Sequence, residues 1–191
     1  IGDAFPFYDP GMFPVWDPYG TPSEFTIYAA DLTSWCQIEW DAPQTWPCHF
    51  VVGGVEAEHI AIPGVITEVQ DYAFSGCAYL KSVAIPPSVL RIGTQAFDGC
   101  GLKEVRISDL SAWCGMTFED LYSNPLSYEC KLILDGEELK DLVIPEGATL
   151  INDYVFASCS RLTSVTIPSS VTSIGEYAFY DCYGLTSVEI P

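Results

Sequence analysis

The chain has 191 residues, 49% of them hydrophobic, which is enough for one substantial core and too apolar for a disordered polypeptide. Its 26 Asp and Glu against 7 Lys and Arg leave a formal net charge of −19, which argues against nucleic acid and anionic membrane as partners, since both recognise clustered cations. No apolar run reaches the ~18 residues of a membrane span, and no basic segment followed by an apolar one stands at residue 1. An exported parent protein is therefore expected to carry its signal peptide outside these residues.

Residues 1–28 read as a degenerate first repeat. Ile1-Gly2-Asp3-Ala4-Phe5 matches part of a motif that recurs downstream, so the chain is expected to start within a unit of a longer array. Pro6, Pro10, Pro14, Pro18 and Pro22 follow at intervals of four, a density that forbids a helix. The interleaved aromatics either cover the first unit or, through Phe13, Trp16 and Tyr19, form a binding patch.

Residues 29–56 form a first insert. Asp31-Leu32-Thr33-Ser34-Trp35-Cys36 predicts a short helix, and Gly53-Gly54 between apolar runs predicts a hairpin. The same plan returns in a second insert, 109–136, with Asp109-Leu110-Ser111-Ala112-Trp113-Cys114 and the turn Asp135-Gly136. Each insert adds a further cysteine, Cys48 or Cys130. The pairs Cys36 with Cys48 and Cys114 with Cys130 admit a disulfide or simple burial.

Residues 57–108 and 137–191 carry the repeat itself. Pro63 and Pro86 are 23 residues apart, as are Pro145, Pro168 and Pro191, and the spacing holds for Phe74/Phe97, Cys77/Cys100, Phe156/Phe179 and Cys159/Cys182. The unit is Leu-x-x-Val-x-Ile-Pro, then x-Ser-Val-x-x-Ile-Gly, then x-x-Ala-Phe-x-x-Cys. Its first part alternates like a half-buried strand, and the proline ends that strand at the rim. The Ile-Gly step, at Ile92-Gly93 and Ile174-Gly175, is expected to use glycine's tolerance of positive φ. One unit cannot bury its own apolar side chains, so neighbours must stack and merge their cores. Stacking places Val83, Val105, Val165 and Val188 in one buried ladder and Ile85, Ile107, Ile167 and Ile190 in the next. Cys77, Cys100, Cys159 and Cys182 should form a third, as buried thiols.

The unit Leu162 to Cys182 resembles the BspA-like, or Treponema pallidum-type, leucine-rich repeat, and the Asp-Leu-x-x-Trp-Cys insert resembles one in members from gut Bacteroidetes. The resemblance covers most of 57–107 and 137–191. His59-Ile60-Ala61-Ile62 and Gln70 depart from the pattern in the first block. It implies an α/β leucine-rich-repeat solenoid, a right-handed superhelix with one parallel sheet of about one strand per 23-residue repeat, interrupted by two helix-loop-hairpin inserts. It also implies an exported, cell-surface protein concerned with adhesion or protein binding, without catalytic residues.

On such a solenoid the outward strand positions line a concave face. Here they are His59, Ala61, Ser82, Ala84, Glu104, Arg106, Asp141, Val143, Ser164, Thr166, Ser187 and Glu189. The expected partner is a host or matrix protein, bound by a monomer, with a structural spacer as the alternative. Cys36 with His49 is the one nucleophile-and-base candidate. The second insert has Lys131 in place of His49 while keeping the Trp-Cys pair, which fits packing rather than catalysis. Glu119-Asp120 reads as a solvated loop. Neither a CxxC pair, a glycine-rich phosphate loop nor EF-hand spacing occurs, so no metal or cofactor is expected.

Overall fold

The computed structural model describes residues 25–43, 47–126 and 130–190; Phe13, Trp16 and Tyr19 lie outside them. Strand β1 (Phe25–Ala29) leads to helix α1 (Leu32–Cys36) and then to the hairpin of β2 (Cys48–Val52) and β3 (Val55–Glu56). Two plain coils follow, β4 (His59–Ala61) with β5 (Glu68–Val69), and β6 (Ser82–Ala84) with β7 (Arg91–Ile92). The second insert runs through β8 (Glu104–Ile107), α2 (Leu110–Cys114), β9 (Thr117–Phe118), a 3₁₀ turn (Leu121–Ser123), β10 (Lys131–Leu134) and β11 (Glu137–Glu138). After it come β12 (Asp141–Val143) with β13 (Leu150–Ile151), β14 (Ser164–Thr166) with β15 (Ser173–Ile174), and β16 (Ser187–Glu189).

The described residues form a solenoid of about 7 turns. Its longer strands form a row along one side, parallel at every pairing except the two hairpins. The row is divided into three hydrogen-bonded sheets, β1-β2-β3, β4-β6-β8-β10-β11 and β12-β14-β16. Because β3 and β11 turn back, each becomes a sheet edge, and each insert marks a break in the row. The shorter strands form a second row, β5-β7-β9 and β13-β15.

The predicted ladders stand in register, with Val83 opposite Val105 and Val165 opposite Val188. Val83, Val105 and Val165 are buried, as are Ile85, Ile107 and Ile167, and each such side chain contributes about 1.5–3 kcal/mol by leaving water. Val188 and Ile190 are 52% and 67% exposed, since their coil has a neighbour on one side only among the described residues. Phe74 stacks on Phe97 at 5.2 Å and Phe156 on Phe179 at 5.4 Å, each pair nearly coplanar at 9° and 11°.

Both inserts use the same joinery. The carboxylate of Asp31 accepts from Ser34 N at 2.8 Å and that of Asp109 from Ala112 N at 2.9 Å, capping α1 and α2 at their N-termini. On the buried side Trp35 Nε1 donates to Ala73 O at 2.8 Å, and Trp113 Nε1 donates to Val155 O at 3.1 Å. Each tryptophan thus fastens its insert to a turn of a following repeat coil. The hairpin turns carry positive φ at both central residues, Gly53 and Gly54 in one and Asp135 and Gly136 in the other, as tight hairpins require.

Gly93 and Gly175 serve a different purpose from the one expected, because neither has a positive φ. A Cβ on Gly93 would collide with Asp71, and one on Gly175 with Asp153. The neighbouring backbone and the acids both fill that space: the added Cβ would lie 2.6 Å from Asp71 N or 2.5 Å from Asp153 N, while Asp71 Oδ1 accepts from Thr94 N at 2.9 Å and Asp153 Oδ1 from Glu176 N at 2.7 Å, each tying one coil to the next. Left-handed backbone occurs instead at Tyr72, Gln95, Tyr154 and Tyr177, and at Gly76, Gly99, Ser158 and Asp181.

The thiol ladder is longer than the 23-residue spacing suggests. Cys48 Sγ lies 3.5 Å from Cys77 Sγ, and Cys130 lies close enough to Cys100 and Cys159 to perturb both electrostatically. Cys48, Cys77, Cys100, Cys130, Cys159 and Cys182 therefore form one row, all as free thiols. Cys36 and Cys114 stand apart from it on the two helices.

Candidate binding surface

The outward strand positions lie side by side across the coils, but their availability differs. His59, Arg106, Asp141, Val143, Ser187 and Glu189 are exposed, while Glu104, Ser164 and Thr166 are half-buried. Ser82 is 5% exposed, because its Oγ shares a 2.8 Å hydrogen bond with His59 Nδ1 and the imidazole covers it. It is removed from the face on that ground. Arg106 pairs with Glu104 at 2.6 Å. Asp141 accepts from Ser164 Oγ at 2.6 Å and Thr163 Oγ1 at 2.9 Å, and these bonds hold its carboxyl below the usual carboxylate range. Much of the polar capacity of this face is thus satisfied between neighbouring coils.

Cys36 and His49 do not have the character of a nucleophile and its base. Cys36 is completely buried, and burial pushes its thiol up to about 12, so it stays protonated at neutral pH. Cys114, its counterpart, is likewise buried and pushed up to about 12. His49 stacks on Tyr79, with ring centroids 3.9 Å apart, and its Nδ1 pairs with Glu56 across the hairpin. Glu119 and Asp120 also have structural tasks. Glu119 joins Glu68 and Asp71 around Arg91, and Asp120 caps the 3₁₀ turn by accepting from Ser123 N at 2.8 Å. Among the described residues no group of three or more His, Cys, Asp or Glu is placed to hold a metal ion, and no helix is long and apolar enough to cross a membrane.

A feature missed in the sequence lies away from the strand row. Tyr177, Tyr180 and Tyr183 line the turns of the last coils and remain 55%, 44% and 83% exposed. Comparing the two blocks position by position would have revealed it, since the first block has no tyrosine at the corresponding places.

Solved structures similar to this chain include three leucine-rich-repeat proteins. One is a leucine rich cell surface protein from Faecalibacterium prausnitzii A2-165, with 26% identity and a TM-score of 0.42, the match covering 75% of this chain and 45% of that one. The second is the Leucine Rich Repeat protein of T. pallidum, with 22% identity, a TM-score of 0.39, and 93% and 78% covered. The third is a leucine-rich repeat protein from Bacteroides ovatus ATCC 8483, with 19% identity, a TM-score of 0.43, and 88% and 48% covered. The chain spans under half the length of the first and third. No protein of curated function matches it. Residues 53–124 and 133–191, more than half of the chain, match the BspA type leucine rich repeat region in six copies, and the chain belongs to that family.

Proposed function

We propose that this chain is a binding segment of a cell-surface protein and acts by adhesion, as a monomer, without catalysis. Its outward strand face takes a protein ligand from a host or matrix. The observation that supports this is the register of the strands, which sets Asp141, Ser164 and Ser187 in one row and Thr166 and Glu189 in the next at about 4.8 Å per strand, with His59 and Glu104 flanking the covered Ser82 and Arg106 in register with Ala84. Such rows offer repeated, evenly spaced polar groups to an extended partner. Membership of a repeat family whose folds generally bind proteins supports the same reading.

The test is surface plasmon resonance of the immobilised chain against a panel of purified matrix and host surface proteins. Saturable binding to at least one is expected, with roughly tenfold weakening by Arg106→Ala with Asp141→Ala, about 1.4 kcal/mol. Absence of saturable binding to every member would favour a spacer instead.

A further inference from the structure

The two blocks share backbone positions 82 residues apart, so that Cys77 corresponds to Cys159 and Gly93 to Gly175. Along their turns the side chains diverge. Tyr72 corresponds to Tyr154, but Gln95 and Asp98 of the first block are Tyr177 and Tyr180 in the second, and Tyr183 is an added residue, since Cys182-Tyr183-Gly184-Leu185 is one longer than Cys100-Gly101-Leu102. The backbone does not demand the change, since φ is 49° at Gln95 and 55° at Tyr177. In the second block the rings adjoin one another. Tyr154 and Tyr177 stack at 5.6 Å with 4° between planes, and Tyr180 stands edge-on to Tyr177 at 5.6 Å and 85°. Their mutual stacking contributes about 0.5–1.5 kcal/mol per pair, yet Tyr177 and Tyr180 still leave 55% and 44% of their surface in water. Neighbouring exposed tyrosines are the usual make-up of a docking surface, because they offer large contact area at small entropic cost.

The charge around the strip has changed as well. In the first block Asp71 binds Arg91 at 3.1 Å, and Glu68 and Glu119 close around the same guanidinium. The second block keeps the acid as Asp153, but Ser173 stands where Arg91 would be. Glu176 replaces Thr94 and Asp181 replaces Gly99, while Leu150 replaces Glu68 and Tyr180 replaces Asp98, so the acids are moved rather than multiplied and the net change is the loss of the cation. Desolvation, then Tyr177, Asp153, Glu176 and Asp120 raise the pKa of Tyr154, which places those carboxylates about the stacked rings. Tyr183 donates its hydroxyl to Asp181 Oδ1 at 2.8 Å. Among the described residues, the ion pairs involve none of Asp120, Asp153, Glu176 or Asp181.

We propose that the tyrosine strip of the second block docks an arginine- or lysine-bearing segment of a partner protein. The cation lies over the ring faces, where the π quadrupole attracts it, and the rim carboxylates supply the opposite charge. Arg91 in the first block is a partial internal precedent, a guanidinium held by Asp71, whose counterpart is Asp153, together with Glu68 and Glu119. The strip is separate from the strand face, so either surface can fail as a binding site without the other.

The test is calorimetric titration with a hexa-arginine peptide at about physiological ionic strength, where surface attraction beyond about 8 Å is screened. Saturable binding is expected. The charge-preserving Tyr177→Ala/Tyr180→Ala variant should bind roughly tenfold more weakly, and Glu176→Gln/Asp181→Asn should weaken binding similarly. Glu137→Gln/Glu146→Gln removes as many exposed acids elsewhere and should leave it within about twofold. Should the double alanine variant fail to fold by circular dichroism, Tyr177→Gln/Tyr180→Asn brings in side chains close to those of the first block and gives the same readout. Equal weakening by the remote pair, or undiminished binding without the tyrosines, would overturn the proposal, as would saturable binding of a neutral oligosaccharide in preference to the peptide.

Discussion

Arg91 in the first block and Ser173 in the second occupy the same point of the coil, yet one gathers three carboxylates and the other leaves Asp153 without a cation among the described residues. Beneath that difference the interiors are nearly interchangeable. Val83 and Val165, Phe74 and Phe156, Cys77 and Cys159 fill the same inward positions and are all buried. Packing constrains the inside of a repeat because every coil must fit its neighbours, whereas the rim is free to diverge as long as the turn survives. The comparison separates residues that build the coil from residues that give a coil something to do.

The largest effect should come from the tryptophans that anchor the inserts. Trp113→Ala and Trp35→Ala should each cost about 3–5 kcal/mol in urea unfolding, since each loses a buried ring and strands a carbonyl on another coil. Similar losses would establish the inserts as one device used twice. A loss below about 1 kcal/mol at either position would break the equivalence.

The buried thiols set the next. Burial pushes Cys36, Cys114 and Cys130 up to about 12 from an ordinary 9.0. Below pH 9 both folded and unfolded thiols keep their protons, so stability does not depend on them. Between 9 and 12 the unfolded thiols ionise while the folded ones do not, and stability falls as pH rises. At pH 10 the loss is roughly 1.4 kcal/mol for each thiol, and Cys36→Ala and Cys114→Ala should each remove one such increment from the pH dependence of urea unfolding.

Gly93→Ala and Gly175→Ala should each cost about 1–3 kcal/mol in thermal or urea unfolding, because the new methyl meets Asp71 or Asp153. The first block should lose more, since moving Asp71 also disturbs Arg91. Adding Asp71→Ala to Gly93→Ala should leave most of the loss in place, since the new methyl still meets Asp71 N at 2.6 Å and Cα at 2.9 Å, and full recovery would mean that only the carboxylate needs the space. The smallest effect is expected of Arg91→Ala, at most about 1 kcal/mol and shrinking with added salt, since the network is partly exposed.

Much of this fold was legible in the sequence, because a 23-residue rhythm with β-branched residues at alternate positions has few other solutions. The helices and hairpins of the inserts were legible too, from Asp caps and from Gly53-Gly54 and Asp135-Gly136. The places of Cys48 and Cys130 were not. The inserts stretch the spacing from Cys48 to Cys77 to 29 residues and from Cys100 to Cys130 to 30, which hides their membership of the thiol ladder. The purpose of Gly93 was hidden for another reason, as a sequence shows a glycine but not the aspartate packed across from it. Ser82 illustrates the same limit on the strand face, where alternation gives the direction of a side chain and not the imidazole lying over it.

Everything here depends on neighbouring coils sharing one interior, and methyl NMR tests that most directly. Cross-peaks between the methyls of Val83 and Val105, and between those of Val165 and Val188, are predicted, since each pair faces its partner across adjacent strands. Their absence in the folded protein would contradict the stacking on which both proposed surfaces rely.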